Sequence, residues 1–268
     1  MQAVQVESVN RFFQFFTEVG NPIIWVGVAS YFYWKGREKE SFYLMNVILL
    51  VSIMTGLLKG LVARERPSTG ESGALSGFFP SSSSPQQSFP SGHASTMSAM
   101  ITYFYRQVKK PWHFLLIALI ILGGLSRLYL GAHYFSDVIA GIMLGLALGE
   151  LGYWFKRKTE HMHFKLTRIK EEALLFAVIT AFLIVFFYLK EFVLFSFFIG
   201  YYAGFVLLKE CNVKQEKQGL GKLAAGFAGL ILLTLTGLMI DGLLLETAFF
   251  LLAGAWVSFI LPTVWERI

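Results

Sequence analysis

The feature that most constrains this chain is a series of long apolar stretches with very few charged residues. A helix needs about 20 mostly apolar residues to cross ~30 Å of hydrocarbon. Hydrophobic residues make up 55% of the 268 residues, which is too many for a soluble protein. The sequence therefore predicts an all-α fold, a polytopic membrane helical bundle of about nine spans. The predicted spans are 21–34, 41–58, 94–105, 112–126, 134–155, 173–189, 192–208, 223–240 and 242–265, of which the first and third are short.

The low charge content and the single cysteine exclude several other classes of protein. Only 15% of residues are charged and the net charge of +6 is spread along the chain, which excludes a disordered tail and a nucleic-acid-binding module. Cys211 has no second cysteine with which to build a disulfide framework, a thiolate zinc cluster or an iron–sulfur site. We therefore expect membrane lipids around the chain and no nucleic-acid partner.

The distribution of basic residues predicts the orientation of the spans. If successive spans alternate in direction, 17 of the 23 lysines and arginines fall on the side that also holds the C-terminus. Basic loops stay in the cytoplasm, so that side is predicted to be cytoplasmic and the N-terminus exoplasmic. Residues 4–19 carry apolar side chains at a loosely helical spacing. They form either a helix in the membrane interface or the beginning of the first span.

Four ionisable residues lie at or near the ends of predicted spans, where charge is costly: Lys59, Arg66, Arg127 and Asp137. Snorkelling to the interface would explain an isolated lysine at such a position. Here, however, the alternating topology brings the three cations to one exoplasmic face. Cations that converge repel each other unless a multivalent anion lies among them, and guanidinium groups match the oxygens of phosphate. The sequence therefore predicts a phosphate site.

The segment Pro90-Ser91-Gly92-His93 opens the third predicted span on the same face. A helix that begins there points free backbone N–H groups at an anion, and Gly92 allows the anion to approach closely. Ser91 can cap this helix and also contact the ligand.

Two histidines complete the predicted site. His133 and Asp137 are four residues apart, so on a helix they would share a face and the carboxylate could hold one ring nitrogen. His93 lies on another predicted span. One histidine could then attack phosphorus while the other protonates the departing oxygen. Taken singly, either histidine is more often a structural residue than a catalytic one.

Together these residues resemble the three-part signature of the type 2 phosphatidic acid phosphatase (PAP2) superfamily. The resemblance covers about Lys59 to Gly149, and eleven fixed positions in the right order do not arise by chance. The matched positions are Lys59, Arg66, Pro67, Pro90, Ser91, Gly92, His93, Ser126, Arg127, His133 and Asp137.

The resemblance implies a role for each candidate residue. His133 would be the nucleophile that forms a phosphohistidine, Asp137 would orient it, and His93 would be the acid that protonates the leaving group. The phosphate oxygens would be held by Lys59, Arg66, Ser91, Gly92 and Arg127. Family members work without a metal cofactor, so the resemblance implies neither a metal site nor a cofactor.

The resemblance also implies a class of substrate. Members of the PAP2 superfamily include integral-membrane lipid phosphatases, soluble acid phosphatases, glucose-6-phosphatase and vanadium haloperoxidases. The multiple predicted spans favour the first group. A multi-pass protein of the cell membrane with an exoplasmic active site suits a lipid phosphate. Our first expectation is a polyprenyl diphosphate such as undecaprenyl diphosphate; phosphatidate and phosphatidylglycerophosphate are alternatives. A lipid transporter or scramblase that binds phosphate without cleaving it is an alternative of another class.

The predicted spans after residue 157 indicate a second, accessory region of the protein. Compact family members end near the position of Phe155, whereas four further predicted spans follow here. We therefore expect a PAP2-like membrane phosphatase core at 1–157 and accessory transmembrane hairpins at 158–268 that carry no second phosphate signature. Gly141, Gly145 and Gly149 repeat every four residues, a spacing that lets another helix approach closely. The sequence leaves the oligomeric state open.

Overall fold

The computed structural model describes residues 7–67, 87–159, 192–211, 213 and 219–267, and this part of the chain is helical almost throughout. A 3₁₀ turn, Lys110–Trp112, precedes the fifth helix, and a π-helical segment, Trp256–Ile260, joins the last two. The predicted all-α fold is confirmed. The helices are α1 (Glu7–Val19), α2 (Pro22–Trp34), α3 (Glu38–Val62), α4 (Gly92–Tyr105), α5 (His113–Tyr129), α6 (Phe135–Thr159), α7 (Phe192–Glu210), α8 (Leu220–Met239), α9 (Leu243–Ala255) and α10 (Leu261–Arg267).

Several of these helices have the length and composition of membrane spans. Within the described ranges, six segments are long and apolar enough to cross a bilayer, as expected of a multi-pass membrane protein. Helices α2 and α4, with 13 and 14 residues, are shorter than a span. The predicted span 173–189 lies outside the described residues, so the count of nine stays a prediction. The six segments are Glu38–Val62, Lys110–Tyr129, Phe135–Thr159, Val193–Glu210, Leu220–Met239 and Leu243–Arg267.

The chain divides into two compact units. The first comprises Met1–Val26 and Asn46–Met162, and the second comprises Gly27–Met45 and His163–Ile268. The boundaries therefore fall within α2 and α3 as well as after α6. The sequence-based division at residue 157 stays a prediction.

In the first unit, α4 and α6 pack closely through small residues on both helices. A Cβ atom added to Gly141 would lie 2.6 Å from the carbonyl oxygen of Ser91, and one added to Gly145 or Gly149 would meet the backbone of α4. Real side chains do not approach so closely, so only glycine fits at these positions. The predicted glycine stripe on α6 is confirmed as a helix-packing surface.

Helix α1 is a separate helix that packs against α5. Its Phe13 ring stacks on Tyr129, with 4.2 Å between the ring centroids, and the Tyr129 hydroxyl donates to Asn10 Oδ1 at 3.0 Å. The chain turns after Val19, and Pro22 occupies the first position of α2, where its missing N–H costs nothing. The N-terminal segment is therefore not the beginning of the first predicted span.

In the second unit, two tryptophans lie against glycines of α8. The Trp34 ring occupies the space that a side chain at Gly226 would need, and the Trp256 ring does the same at Gly229. The indole of Trp34 also donates to the carbonyl oxygen of Val257 at 3.0 Å, inside the π-helical segment. The second unit is thus packed around aromatic side chains.

Candidate active site

A short backbone contact joins the segment after α3 to the segment before α4. Ser88 donates its N–H to the carbonyl oxygen of Arg64 at 2.7 Å and its hydroxyl to that of Glu65 at 3.0 Å, and Glu65 and Gln87 form an isolated antiparallel bridge. The contact holds the end of α3, which carries Lys59, beside the beginning of α4. Two motifs that lie far apart in the sequence are thereby brought together.

The N-terminus of α4 is fixed to the first turn of α6. Ser91 donates its N–H to the carbonyl oxygen of Asp137 at 3.0 Å, and its hydroxyl accepts from the Ala94 N–H at 3.5 Å. The predicted N-cap at Ser91 is therefore confirmed. The side of Gly92 is open apart from one ordinary contact with Thr55, so its backbone stays accessible to a ligand. Phosphate binding by both residues stays a prediction.

The turn after α5 delivers His133 to the same place. Gly131 has a φ of +66°, a left-handed conformation that glycine adopts without strain. Its N–H bonds the Leu128 carbonyl at 3.0 Å, and the Ala132 N–H bonds the Arg127 carbonyl at 3.2 Å, which closes α5 in a Schellman motif. His133 follows directly and is only 4% exposed.

The three predicted cations lie close enough to the two histidines for their charges to act on both rings. Lys59 lies in the last turn of α3 and Arg127 in the last turn of α5, where Arg127 is 1% exposed. Arg66 extends from the segment after α3 and donates to the Ala132 carbonyl at 3.5 Å. The charges of Lys59, Arg66 and Arg127 all act on the rings of His93 and His133. The structure therefore assembles these residues in one place, as predicted.

Four nitrogen atoms of this cluster are buried and find no hydrogen-bond partner among the residues that the structure describes. They are Nε of Arg66, Nε of Arg127, Nε2 of His93 and Nδ1 of His133. A buried polar group without a partner costs free energy, and a buried charge without a counter-charge costs more. Such a group of nitrogens is suited to an anionic ligand that accepts hydrogen bonds.

Burial and the cations keep His133 uncharged. Desolvation, followed by the positive charges of Arg127, Arg66 and Lys59, lowers the pKa of His133 from its ordinary value of 6.5 to about 2. Its ring is therefore neutral at neutral pH and has a free lone pair, as a nucleophile requires. Burial also lowers the pKa of Arg66, against the attraction of Asp137.

Asp137 lies near His133, but not in the way that their spacing suggested. Helix α6 begins at Phe135, so His133 precedes the helix and the prediction of a shared helix face is wrong. His133 Nδ1 and Asp137 Oδ2 are 3.8 Å apart, too far for a hydrogen bond. The carboxylate is engaged elsewhere: Oδ2 accepts the N–H of Tyr134 at 2.8 Å and Oδ1 accepts from Arg64 at 3.0 Å. The orienting role of Asp137 stays a prediction.

Residues 40–160 match the family model described as the PAP2 superfamily. This part of the chain belongs to that superfamily. The segment contains all eleven signature positions and the whole of α4, α5 and α6.

Relatives of known name match parts of the chain. A lipid A 1-phosphatase from Rhizobium etli is 34% identical over 118 residues, which are 44% of this chain and 48% of the relative. Phosphatidylglycerophosphatase B from Bacillus subtilis is 29% identical over 153 residues, 53% of this chain and 70% of that protein. The chain thus spans about half the length of the first of these relatives.

One solved structure is also similar: the crystal structure of a transmembrane PAP2 type phosphatidylglycerolphosphate phosphatase from Bacillus subtilis. It is 23% identical, has a TM-score of 0.45, and covers 60% of this chain and 82% of its own.

Two residues that contact the PAP2 signature carry no sequence signal. Thr17, in α1, lies outside the PAP2 segment and is 1% exposed. Its hydroxyl is 2.8 Å from that of Ser126 and accepts from Arg127 Nη1 at 3.4 Å. Arg64, between Lys59 and Arg66, bonds Asp137 but is not a signature position. No local pattern reveals either contact, because each partner is distant in the sequence.

A metal site is not evident in the described part of the PAP2 segment or elsewhere in the described chain. No three His, Cys, Asp or Glu side chains there are grouped so that they could hold a metal ion. The side chains that the structure brings together at the candidate active site include two imidazoles, a carboxylate and several cations. Metal-independent action stays a prediction.

Proposed function

We propose that this protein is a membrane phosphatase that removes phosphate from a lipid phosphate or diphosphate by way of a phosphohistidine. The observation that carries the proposal is the group of buried nitrogens on Arg66, Arg127 and His93 that lack partners among the described residues. A phosphate group supplies the oxygen acceptors and the negative charge that these atoms lack. His133 Nδ1, which also lacks a partner among the described residues, lies on the side of Asp137. Membership of the PAP2 superfamily and the names of the relatives support the same reaction class.

The reaction follows from the chemistry of the two histidines. The neutral ring of His133 attacks phosphorus through Nε2, so that a P–N bond forms while the P–O bond to the leaving group breaks. His93, which gains a proton when the negative charge of the bound phosphate offsets the neighbouring cations, donates that proton to the departing oxygen. A water molecule then attacks the phosphohistidine, His93 takes up a proton from it, and the P–N bond breaks to release inorganic phosphate and neutral His133. Lys59, Arg66 and Arg127 stabilise the charge on the phosphoryl oxygens throughout.

The substrate class follows from the surroundings of the site. Helices α3, α5 and α6, which carry or border the site, are all long and apolar enough to span a bilayer. A head group at the end of these helices can reach the cations while its chains remain in lipid. The distribution of lysines and arginines supports an exoplasmic site. Polyprenyl diphosphate, phosphatidylglycerophosphate and lipid A 1-phosphate are the three candidates.

Phosphate release by the detergent-purified protein tests the proposal. The three candidate lipids, phosphatidate and glucose 6-phosphate are assayed with a chelator present. We expect turnover of at least one lipid and none of the sugar phosphate. His133→Ala is expected to abolish turnover, whereas His113→Ala, at the beginning of α5, is a matched control that keeps it.

Two outcomes would contradict the proposal. Wild-type activity in folded His133→Ala would exclude this nucleophile. If the folded wild-type protein released no phosphate from any of the lipids, the proposed reaction on these substrates would be excluded. Lipid movement in liposomes that survives the loss of His133 would favour the transporter alternative.

A further inference from the structure

Arg64 makes three contacts with the first turn of α6 and the residue before it. Its Nη1 donates to Asp137 Oδ1 at 3.0 Å and to Ser136 Oγ at 2.7 Å. Its guanidinium carbon lies 4.0 Å from the centroid of the Tyr134 ring. The Arg64 side chain is 38% exposed, whereas that of Asp137 is fully buried. The guanidinium therefore covers the carboxylate from the solvent side.

The buried carboxylate needs a counter-charge, and His133 does not supply it. Ionised carboxylates are rarely buried unless they are paired and hydrogen-bonded. His133 Nδ1 is 3.8 Å from Asp137 Oδ2 and has no hydrogen-bond partner among the described residues, and its ring is neutral at neutral pH. Arg64 Nη1 lies 3.0 Å from Asp137 Oδ1 and forms an ion pair with this carboxylate.

The pairing of Asp137 with Arg64, and not with His133, is compatible with a nucleophilic His133. A carboxylate paired with a protonated histidine would hold that histidine as an imidazolium, which has no lone pair with which to attack phosphorus. Arg64 balances Asp137 instead, and burial together with Arg127, Arg66 and Lys59 keeps His133 neutral. Oδ2 still lies on the Nδ1 side of the ring, where it can stabilise the positive charge that develops as Nε2 bonds phosphorus.

We propose that Arg64 is a positioning residue of the phosphatase: it holds and balances the Asp137 carboxylate, so that the carboxylate stays beside His133 and orients its ring. The proposal rests on the proposed function. Arg64 acts through Asp137 and does not itself bind the phosphate.

The charged and titratable groups around this pair come from several elements. Lys59 lies on α3, Arg66 on the segment after α3, His93 on α4 and Arg127 on α5; their charges act on His133. Arg66 also acts on Asp137. These groups are unchanged when Arg64 is replaced, so a change in His133 protonation in the variant reports the loss of Arg64 alone.

The first test uses Arg64→Gln and Arg64→Lys. We expect Arg64→Gln to lower kcat at least tenfold with less than a twofold change in KM, and to move the acid limb of the kcat/KM profile to higher pH. Arg64→Lys keeps the charge and should restore much of kcat and the acid limb. The matched control is Arg106→Gln, which breaks the ion pair of Arg106 with Glu150 of α6 and should change neither quantity.

Some results of this test would overturn the proposal. An unchanged kcat and pH profile in Arg64→Gln would show that Asp137 does not need Arg64. A rise in KM alone, with the acid limb in place, would make Arg64 a phosphate-binding residue instead. Equal losses in Arg64→Gln and Arg106→Gln would indicate a general loss of α6 packing.

A second readout does not depend on turnover. Histidine side chains labelled with ¹⁵N are titrated by NMR in the full-length protein in detergent. We expect His133 to stay neutral down to pH 5 in the wild-type protein and to gain its proton at a higher pH in Arg64→Gln than in the wild type, because the unbalanced Asp137 carboxylate then attracts a proton to the ring. Identical titrations would overturn the proposal. If no lipid is turned over but the titrations differ, the proposed function fails while the role of Arg64 on His133 stands.

Discussion

Replacing Gly145 by alanine is expected to force α6 away from α4. The added Cβ would overlap the Ser98 hydroxyl and the Ser95 carbonyl, and it would lie 2.9 Å from the Ala99 nitrogen. Overpacking costs about 1–3 kcal/mol, and the upper end applies because backbone atoms are among the obstacles. The higher helix propensity of alanine offsets about 1 kcal/mol. The expected net loss is about 2 kcal/mol, or about 4–8 °C in Tm.

The matched control is Gly60→Ala in α3, where an added Cβ meets nothing within 4 Å. Helix propensity alone should then raise Tm by about 2–4 °C. Thermal unfolding of both variants in detergent, followed by tryptophan fluorescence, measures the difference. Phosphate release should also fall in Gly145→Ala, because α6 carries Asp137. Equal Tm values in the two variants would refute the packing argument, and a lower Tm with full activity would refute its link to the site.

Three further perturbations have expected results. The pKa of His133 is lowered on folding, so its contribution to the free energy of unfolding is fully present above about pH 6.5 and is lost as the pH falls, by about 1.4 kcal/mol at pH 5.5. Tm measured at pH 8 and pH 5.5 should show this loss in the wild-type protein and a smaller loss in His133→Asn. Thr17→Val removes the hydroxyl that contacts Arg127 and should lower Tm and phosphate release, whereas Thr17→Ser should retain both. Tyr33→Phe leaves the Ser258 carbonyl without its 2.8 Å hydrogen bond and should lower the free energy of unfolding by about 1–3 kcal/mol, measured by chemical denaturation. A smaller loss would mean that the Ser258 carbonyl accepts a backbone N–H of an α-helical turn in the variant.

The helices could be predicted from the sequence because membrane spans are long apolar runs. The predicted stretch 134–155 corresponds to α6 (Phe135–Thr159), and 41–58 corresponds to α3 (Glu38–Val62). In both cases the helix extends beyond the apolar run, because polar residues at the interface remain helical. The prediction erred most where it needed an exact helix start. A shared face for His133 and Asp137 requires a helix that includes His133, whereas α6 begins two residues later, at Phe135.

The site residues could be predicted because cations and histidines near hydrocarbon are conspicuous. The contacts that hold these site residues in place could not be predicted from the sequence. Arg64 meets Asp137 across 73 residues of sequence, and Thr17 meets Arg127 across 110. An exposed arginine and a threonine at such positions are ordinary residues in the sequence, and only the packing of distant segments gives them their partners.

The π-helical segment Trp256–Ile260 sets the register of everything that follows it. A π turn contains about one residue more than an α turn, and one residue corresponds to about 100° of rotation around a helix. Glu266 of α10 thereby faces Lys222, with Nζ and Oε1 3.7 Å apart. If the five residues 256–260 kept their number but wound as an α-helix, the chain after them would turn by about 100°, so that Glu266 would face away from Lys222. Deleting one of the five would restore a continuous α-helix and leave α10 close to its present orientation. The C-terminal turn of the chain is thus positioned by a one-residue count and not by its own sequence.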